Sequence, residues 1–180
     1  YDDFAVSGRS VYYRTTFCDG SAMTFSVTSS PAAAGCNITI VAVSGLTAAT
    51  PAAAIRQTDD ASFSASGTPV TTFASAMQNK NTVVCGAFNG TNPAGLTQPS
   101  GYSLLIDSGH TSNNQGLNNA YKAGGIGTGT TVTWGSASAS SGVAFSIELI
   151  GQGGPPAASG SGGADFIALN MVTRYGKKIK

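Results

Sequence analysis

The chain has 180 residues and a net charge of +1, and only 9% of the residues are charged. That length suits one domain, while the near-neutral balance excludes both the basic surface that nucleic-acid phosphates demand and the acidic excess of a solvated tail. No run of about 18 apolar residues supports a transmembrane helix, and the opening residues lack the basic-then-apolar pattern of a signal peptide.

Gly, Ala, Ser and Thr make up half the chain, so helix propensity is weak throughout. The Ala-rich stretches Pro31 to Gly35 and Pro51 to Ile55 are broken by Pro and Gly. Strands read better. Val11, Tyr13, Thr15 and Phe17 alternate with Tyr12, Arg14 and Thr16, and Met23, Phe25 and Val27 alternate with Thr24, Ser26 and Thr28, the period of a half-buried strand. Asp19-Gly20-Ser21 between them reads as a hairpin turn. Ile38 to Val43 and Thr82 to Phe88 are near-continuous apolar runs and predict central strands buried on two sides. Shorter candidates follow at Val70 to Met77, Tyr102 to Asp107, Asn118 to Ala123 and Thr130 to Trp134. The clearest strand is Val143 to Ile150, with Val143, Phe145, Ile147 and Leu149 facing a core and Ala144, Ser146 and Glu148 facing out.

Many short strands with turn-rich connectors predict an all-β fold, an antiparallel β-sandwich of the jelly-roll kind with an extended C-terminal arm. Residues 1–150 form the sandwich domain, of which 1–21 are an N-terminal arm or edge strand. Residues 151–164, almost wholly Gly, Pro, Ala and Ser, read as a linker. The arm, 165–180, joins an apolar segment containing Phe166, Leu169 and Met171 to the basic residues Arg174, Lys177, Lys178 and Lys180. Two readings of it stand equal. It adds a strand to a neighbouring subunit by β-augmentation, these seven residues binding the partner, or it is the last strand of its own domain.

Groups that titrate or attack are scarce: the chain has one His and one Glu. Asp107-Ser108-Gly109-His110 gathers a carboxylate, a hydroxyl and an imidazole, but triad members converge from separate segments. Asp2-Asp3 and Asp59-Asp60 are adjacent carboxylates that a strand would point to opposite faces, and Asp59-Asp60 reads as a solvated turn. Gly125 to Gly129 lacks the Lys and the helix of a phosphate loop. Asn37-Ile38-Thr39 and Asn89-Gly90-Thr91 match the glycosylation pattern. Cys18, Cys36 and Cys85 have neither zinc-ligand spacing nor an even count. Cys36 and Cys85 are expected as buried thiols, and a Cys18–Cys36 bridge stays open. No catalytic residue, metal or cofactor is called for. Tyr102, Tyr121 and Trp134 are the candidates for glycan stacking, against a core role for Trp134.

From Phe25 to Gly151 the order of features resembles a β-sandwich family of tailed-bacteriophage virion proteins. The pieces are MTFSVTSSPAAAG, NITIVAVSGL, TVVCGAF followed by GYSLLIDS, then YKAGG, TTVTWGSASASSG and VAFSIELIG. In that family a Tyr-bearing strand, a Thr-Trp strand, a small-residue turn and an apolar closing strand with an acidic residue recur. The matching positions are Tyr121, Trp134, Ser136 to Gly142, and Val143 to Ile150 with Glu148. The resemblance implies a non-catalytic structural module on the virion surface, in first place a capsid decoration (cement) protein. Its partners would be the major capsid protein or other virion proteins, with homo-oligomers, a trimer among them, and neither nucleic acid nor membrane. The alternatives are a carbohydrate- or receptor-binding tail or fibre module and a self-assembling extracellular filament subunit.

Overall fold

The computed structural model describes residues 2–6, 9–18, 24, 35–43, 46, 50, 52–111, 114–151 and 166–175, and for 2–6, 9–18, 35–37 and 166–175 it describes the backbone course and pairing alone. The described regular structure is strand apart from one short 3₁₀ turn, Ala52–Ala54. No helix among the described residues is long and apolar enough to cross a membrane.

In chain order the strands are β1 (Asp2–Val6), β2 (Arg9–Cys18), β3 (Gly35–Val43), β4 (Ile55–Phe63), β5 (Val70–Thr72), β6 (Thr82–Asn89), β7 (Ser103–His110), β8 (Gln115–Ala123), β9 (Thr131–Thr133), β10 (Gly142–Leu149) and β11 (Phe166–Tyr175). They form a four-stranded sheet in the order β1-β2-β11-β3, a five-stranded sheet in the order β4-β10-β6-β8-β7, and the two-stranded pair β5-β9. Every pairing is antiparallel, as the sequence predicts. Four of the pairings nest: β3 with β11, β4 with β10, β5 with β9 and β6 with β8. The chain thus runs out to β7 and returns alongside itself.

The five-stranded sheet is covered on both faces, and side-chain size decides what covers each. On one face it presents large groups, Val84, Phe88, Leu117, Val143, Phe145, Ile147 and Leu149, which cluster with Val41 of β3 and with Leu46 and Ala54. Here β3 lies against β7 and β1 against β10. On the other face the sheet presents mostly small groups, Val83, Cys85, Ala87, Ala120 and Ala144. The volume they leave is filled from outside by Phe73, Met77, Leu96, Ile126, Val132 and Trp134, as close packing requires. Backbone bonds fix that outer layer: Phe73 N to Thr130 O at 2.9 Å, Met77 N to Gly129 O at 2.8 Å, and Trp134 N to Pro69 O at 3.0 Å.

This second cover corrects the expectation for β10. Val143, Phe145, Ile147 and Leu149 do face a core, but Ala144, Ser146 and Glu148 are buried as well, under β5 and the 73–81 loop. The opposite correction applies to β3. Among the described residues it is an edge strand, and of its described side chains only Thr39 and Val41 are buried, while Ile38 and Ile40 are exposed. β6 is central and buried along its whole length, as expected. The Met23 to Thr28 strand and the turn at Asp19 to Ser21 lie outside the described residues, Thr24 excepted. β11 is a strand of its own chain's sheet, hydrogen-bonded between β2 and β3.

Candidate functional site

The only glutamate of the chain sits at the most elaborate polar site among the described residues. Glu148 is fully buried on β10. The register of β4 skips one residue here, with Glu148 opposite Gln57 and Leu149 opposite Ile55. This bulge sets two successive residues of β4 against one of β10 and re-aims them. Both reach the same carboxylate oxygen: Arg56 Nη1 donates to Oε2 at 2.6 Å and Gln57 Nε2 at 2.5 Å. The other oxygen, Oε1, accepts from Gln78 N at 2.8 Å and Asn81 Nδ2 at 2.7 Å. Gln57 also exchanges hydrogen bonds with the Ser75 backbone, and Asn81 Oδ1 accepts from Gly151 N.

Burial pushes the Glu148 pKa up, but the Gln78 amide, Asn81, Arg56 and Gln57 outweigh it and hold the carboxyl below its ordinary value. Each oxygen receives two donors, so its acceptor capacity is filled. The carboxylate pins the 73–81 loop and β4 to β10; it is spent on structure. A second polar knot closes the far end of the sheet. Asn89 Nδ2 donates to Ala94 O and Ser138 Oγ, Asn89 Oδ1 accepts from Thr91 N, and Ser140 Oγ accepts from Gly90 N.

The sequence-predicted positions are scattered. Trp134 is 3% exposed and belongs to the outer core cluster, on which Tyr102 also packs, whereas Tyr121 packs on the cluster at the opposite face of the large sheet. The three share no platform. Lys122 Nζ lies 6.0 Å from the Tyr102 ring centroid, within reach of a cation–π contact, and burial pushes the Tyr102 hydroxyl pKa up. Phe166, Leu169, Met171 and Arg174 lie on β11, where Leu169 is in register with Val41 and Met171 with Thr39. Lys177, Lys178 and Lys180 lie outside the described residues.

No family model, curated protein or solved structure matches this chain. Its functional reading therefore rests on its own residues.

Asp107 and His110 both lie on β7, three residues apart, and the period of a strand sends them to opposite faces. Asp59 and Asp60 lie on β4, not in a turn; Asp59 Oδ2 accepts from Thr72 N at 2.7 Å, which ties β4 to β5. The glycine loop spends its amides internally. Gly124 N and Gly125 N donate to Asn81 O and Asn79 O, and Gly127 N to Asn79 Oδ1. Gly124 and Gly125 hold φ of 64° and 60°, the left-handed region glycine favours. Asn89 is buried in its knot, so that glycosylation pattern presents no free amide. Asn37 is described for its backbone alone.

Cys85 is buried, its Sγ 3.6 Å from Ala120 O, and burial pushes its thiol pKa up. Cys18 is in register with Phe166 and Cys36 with Arg174. Eight residues of β11 separate those positions, roughly 26 Å at the rise of a strand, and a disulfide needs Cα atoms within about 7 Å. The open Cys18–Cys36 pairing is incompatible with this register.

Glu148 and its donors were missed by the outward assignment of its strand. The signal was present in the small residues Ala144 and Ser146 beside it and in the adjacent polar pair Arg56-Gln57, but pairing them needs the register of β4.

Proposed function

We propose that the chain is a non-catalytic structural component of a tailed-phage particle, in first place a capsid decoration protein on the outer surface. The nested antiparallel pairing carries this reading. β3 with β11, β4 with β10, β5 with β9 and β6 with β8 pair in a nested antiparallel order, which is compatible with a jelly-roll module of the kind implied by the resemblance in TVVCGAF, TTVTWGSASASSG and VAFSIELIG. The use of the chemistry-bearing residues supports it further. Glu148, Asn81, Asn89 and Ser138 are committed to holding loops on the sheet, as suits a part whose task is to keep its shape.

The glycan-binding alternative loses its main anchor, since burial withdraws Trp134 from any sugar and the two tyrosines lie on opposite faces of the large sheet. The test is immunogold microscopy on particles from the source lysate, with antibodies against recombinant 1–180. Label scattered over heads is the expected result. Label confined to tails or fibre tips would move the protein to a fibre role, and antigen recovered only in soluble fractions would remove the particle reading.

A further inference from the structure

Among the described residues the two large sheets have four edge strands, β1, β3, β4 and β7. An unpaired edge presents a row of free N–H and C=O groups, and monomeric proteins blunt such edges with charge, proline, bulges or short length. Three of the four follow that rule. β1 is five residues long and begins Asp2-Asp3. β4 carries Arg56, Asp59 and Asp60 and the bulge opposite Glu148 and Leu149. β7 carries Asp107 and a register shift between Leu104 and Ile106.

β3 has none of these devices. It is nine residues long, Gly-Cys-Asn-Ile-Thr-Ile-Val-Ala-Val, and its pairing with β11 runs without a register shift. No Asp, Glu, Lys, Arg or His occurs between Asp19 and Arg56. Its outer face exposes Ile38 and Ile40 at 47% and 51%. β7 lies against it, with Leu104 and Leu105 exposed at 45% and 38%. Among the described residues these four are all of the large exposed hydrophobic side chains, and they fall on two strands that lie against each other.

We infer that β3 is the dimerisation edge of this chain and that its occupant is the β3 strand of a second copy, joining the two four-stranded sheets into one. Charge selects this occupant. A strand without ionisable groups offers nothing to steer a charged partner, but it meets a copy of itself with no like-charge repulsion. An antiparallel two-fold pairing is isologous, each side presenting the same residues. With the axis at Thr39, Ile38 of each copy stands opposite Ile40 of the other, a β-branched cross-strand pair of the stabilising kind. This inference stands apart from the particle reading, because the dimer is measured on purified chain and survives a failed immunogold experiment.

The test is sedimentation equilibrium of the full 180-residue chain over a range of concentrations, beside Ile38→Lys and Ile40→Lys. Both positions are exposed, so the variants keep the fold, which circular dichroism checks. The wild type is expected to dimerise, and each Lys variant to raise the dissociation constant about tenfold, since both symmetry-related Ile38–Ile40 pairs are lost at up to about 1 kcal/mol each and each 1.4 kcal/mol is a factor of ten. A wild type that stays monomeric throughout overturns the inference. So does a dimer of unchanged affinity in both variants. A monomeric wild type whose thermal stability falls in the Lys variants assigns the edge to the chain's own residues instead, and also overturns it. Should the variants misfold, hydrogen exchange on the wild type decides: β3 amides gain protection with protein concentration, or the inference fails.

Discussion

Glu148 shows how much one buried charge can organise. Its four donors come from β4 and the 73–81 loop, two from each, and removing the carboxylate leaves them facing an empty acceptor site. Glu148→Ala is expected to lower stability by about 3 kcal/mol in urea unfolding, toward the low end for a broken buried pair because Arg56 is partly exposed and can turn to water. The sign of the pH effect follows from the lowered pKa. Above the ordinary glutamate value, about 4.3, the network contributes fully; as pH falls through the lower folded value the contribution is lost. Urea midpoints at pH 7 and pH 3 should therefore differ more for the wild type than for Glu148→Gln. Gly86 makes the complementary point. A Cβ there would run into the Phe145 ring and Asn119 Oδ1 closer than real side chains approach, so Gly86→Ala should cost at least about 1–3 kcal/mol by overpacking, read by the same unfolding curves. Trp134→Ala, in the outer cluster, should cost about 3–5 kcal/mol, measured by circular dichroism because the reporter tryptophan is lost.

Among the elements, burial ranks the strands. β6 and β10 are buried at every residue and each is paired on both sides, whereas β7 is an edge strand whose side chains are exposed or half-buried. Hydrogen exchange should find β6 and β10 amides exchanging only on global opening and β7 amides far sooner; equal rates would contradict this layering. Strand pattern was legible where strands are strongly apolar, in the continuous run Thr82 to Phe88 and the alternation of Val143 to Leu149. It did not reveal β4, because Arg-Gln-Thr-Asp-Asp carries polar residues on both phases. Those residues are accommodated since one flank of β4 is an open edge and Arg56, Gln57 and Asp59 find partners on β10 and β5. Ile38 to Val43 misled in the opposite direction. A continuous apolar run implies burial on two faces, yet β3 is buried on one.

At the scale of the molecule, nested pairing means distant closure. Gly35 pairs with Tyr175, and the sheet containing β1, β2 and β3 depends on a strand from the other end of the chain. Such non-local topology folds slowly, and stopped-flow refolding should show a phase in the millisecond-to-second range. Among the described residues β11 is the only strand that joins β2 to β3. Deleting 165–180 should therefore cost strand signal in circular dichroism and lower the melting temperature; a truncated chain as stable as the full one would show β11 to be dispensable to the sheet.

Composition and local pattern alone determined the all-β class, most strand positions and the scarcity of reactive groups, because propensity and two-residue periodicity are properties of neighbours in the chain. Tertiary structure alone decided which faces are covered. Whether Glu148 meets water or four donors, whether Trp134 meets a ligand or a core, and whether β3 is central or an edge depend on segments tens of residues away in the chain, up to the 140 that separate Gly35 from Tyr175. The free energy of a buried polar group is set by those distant partners.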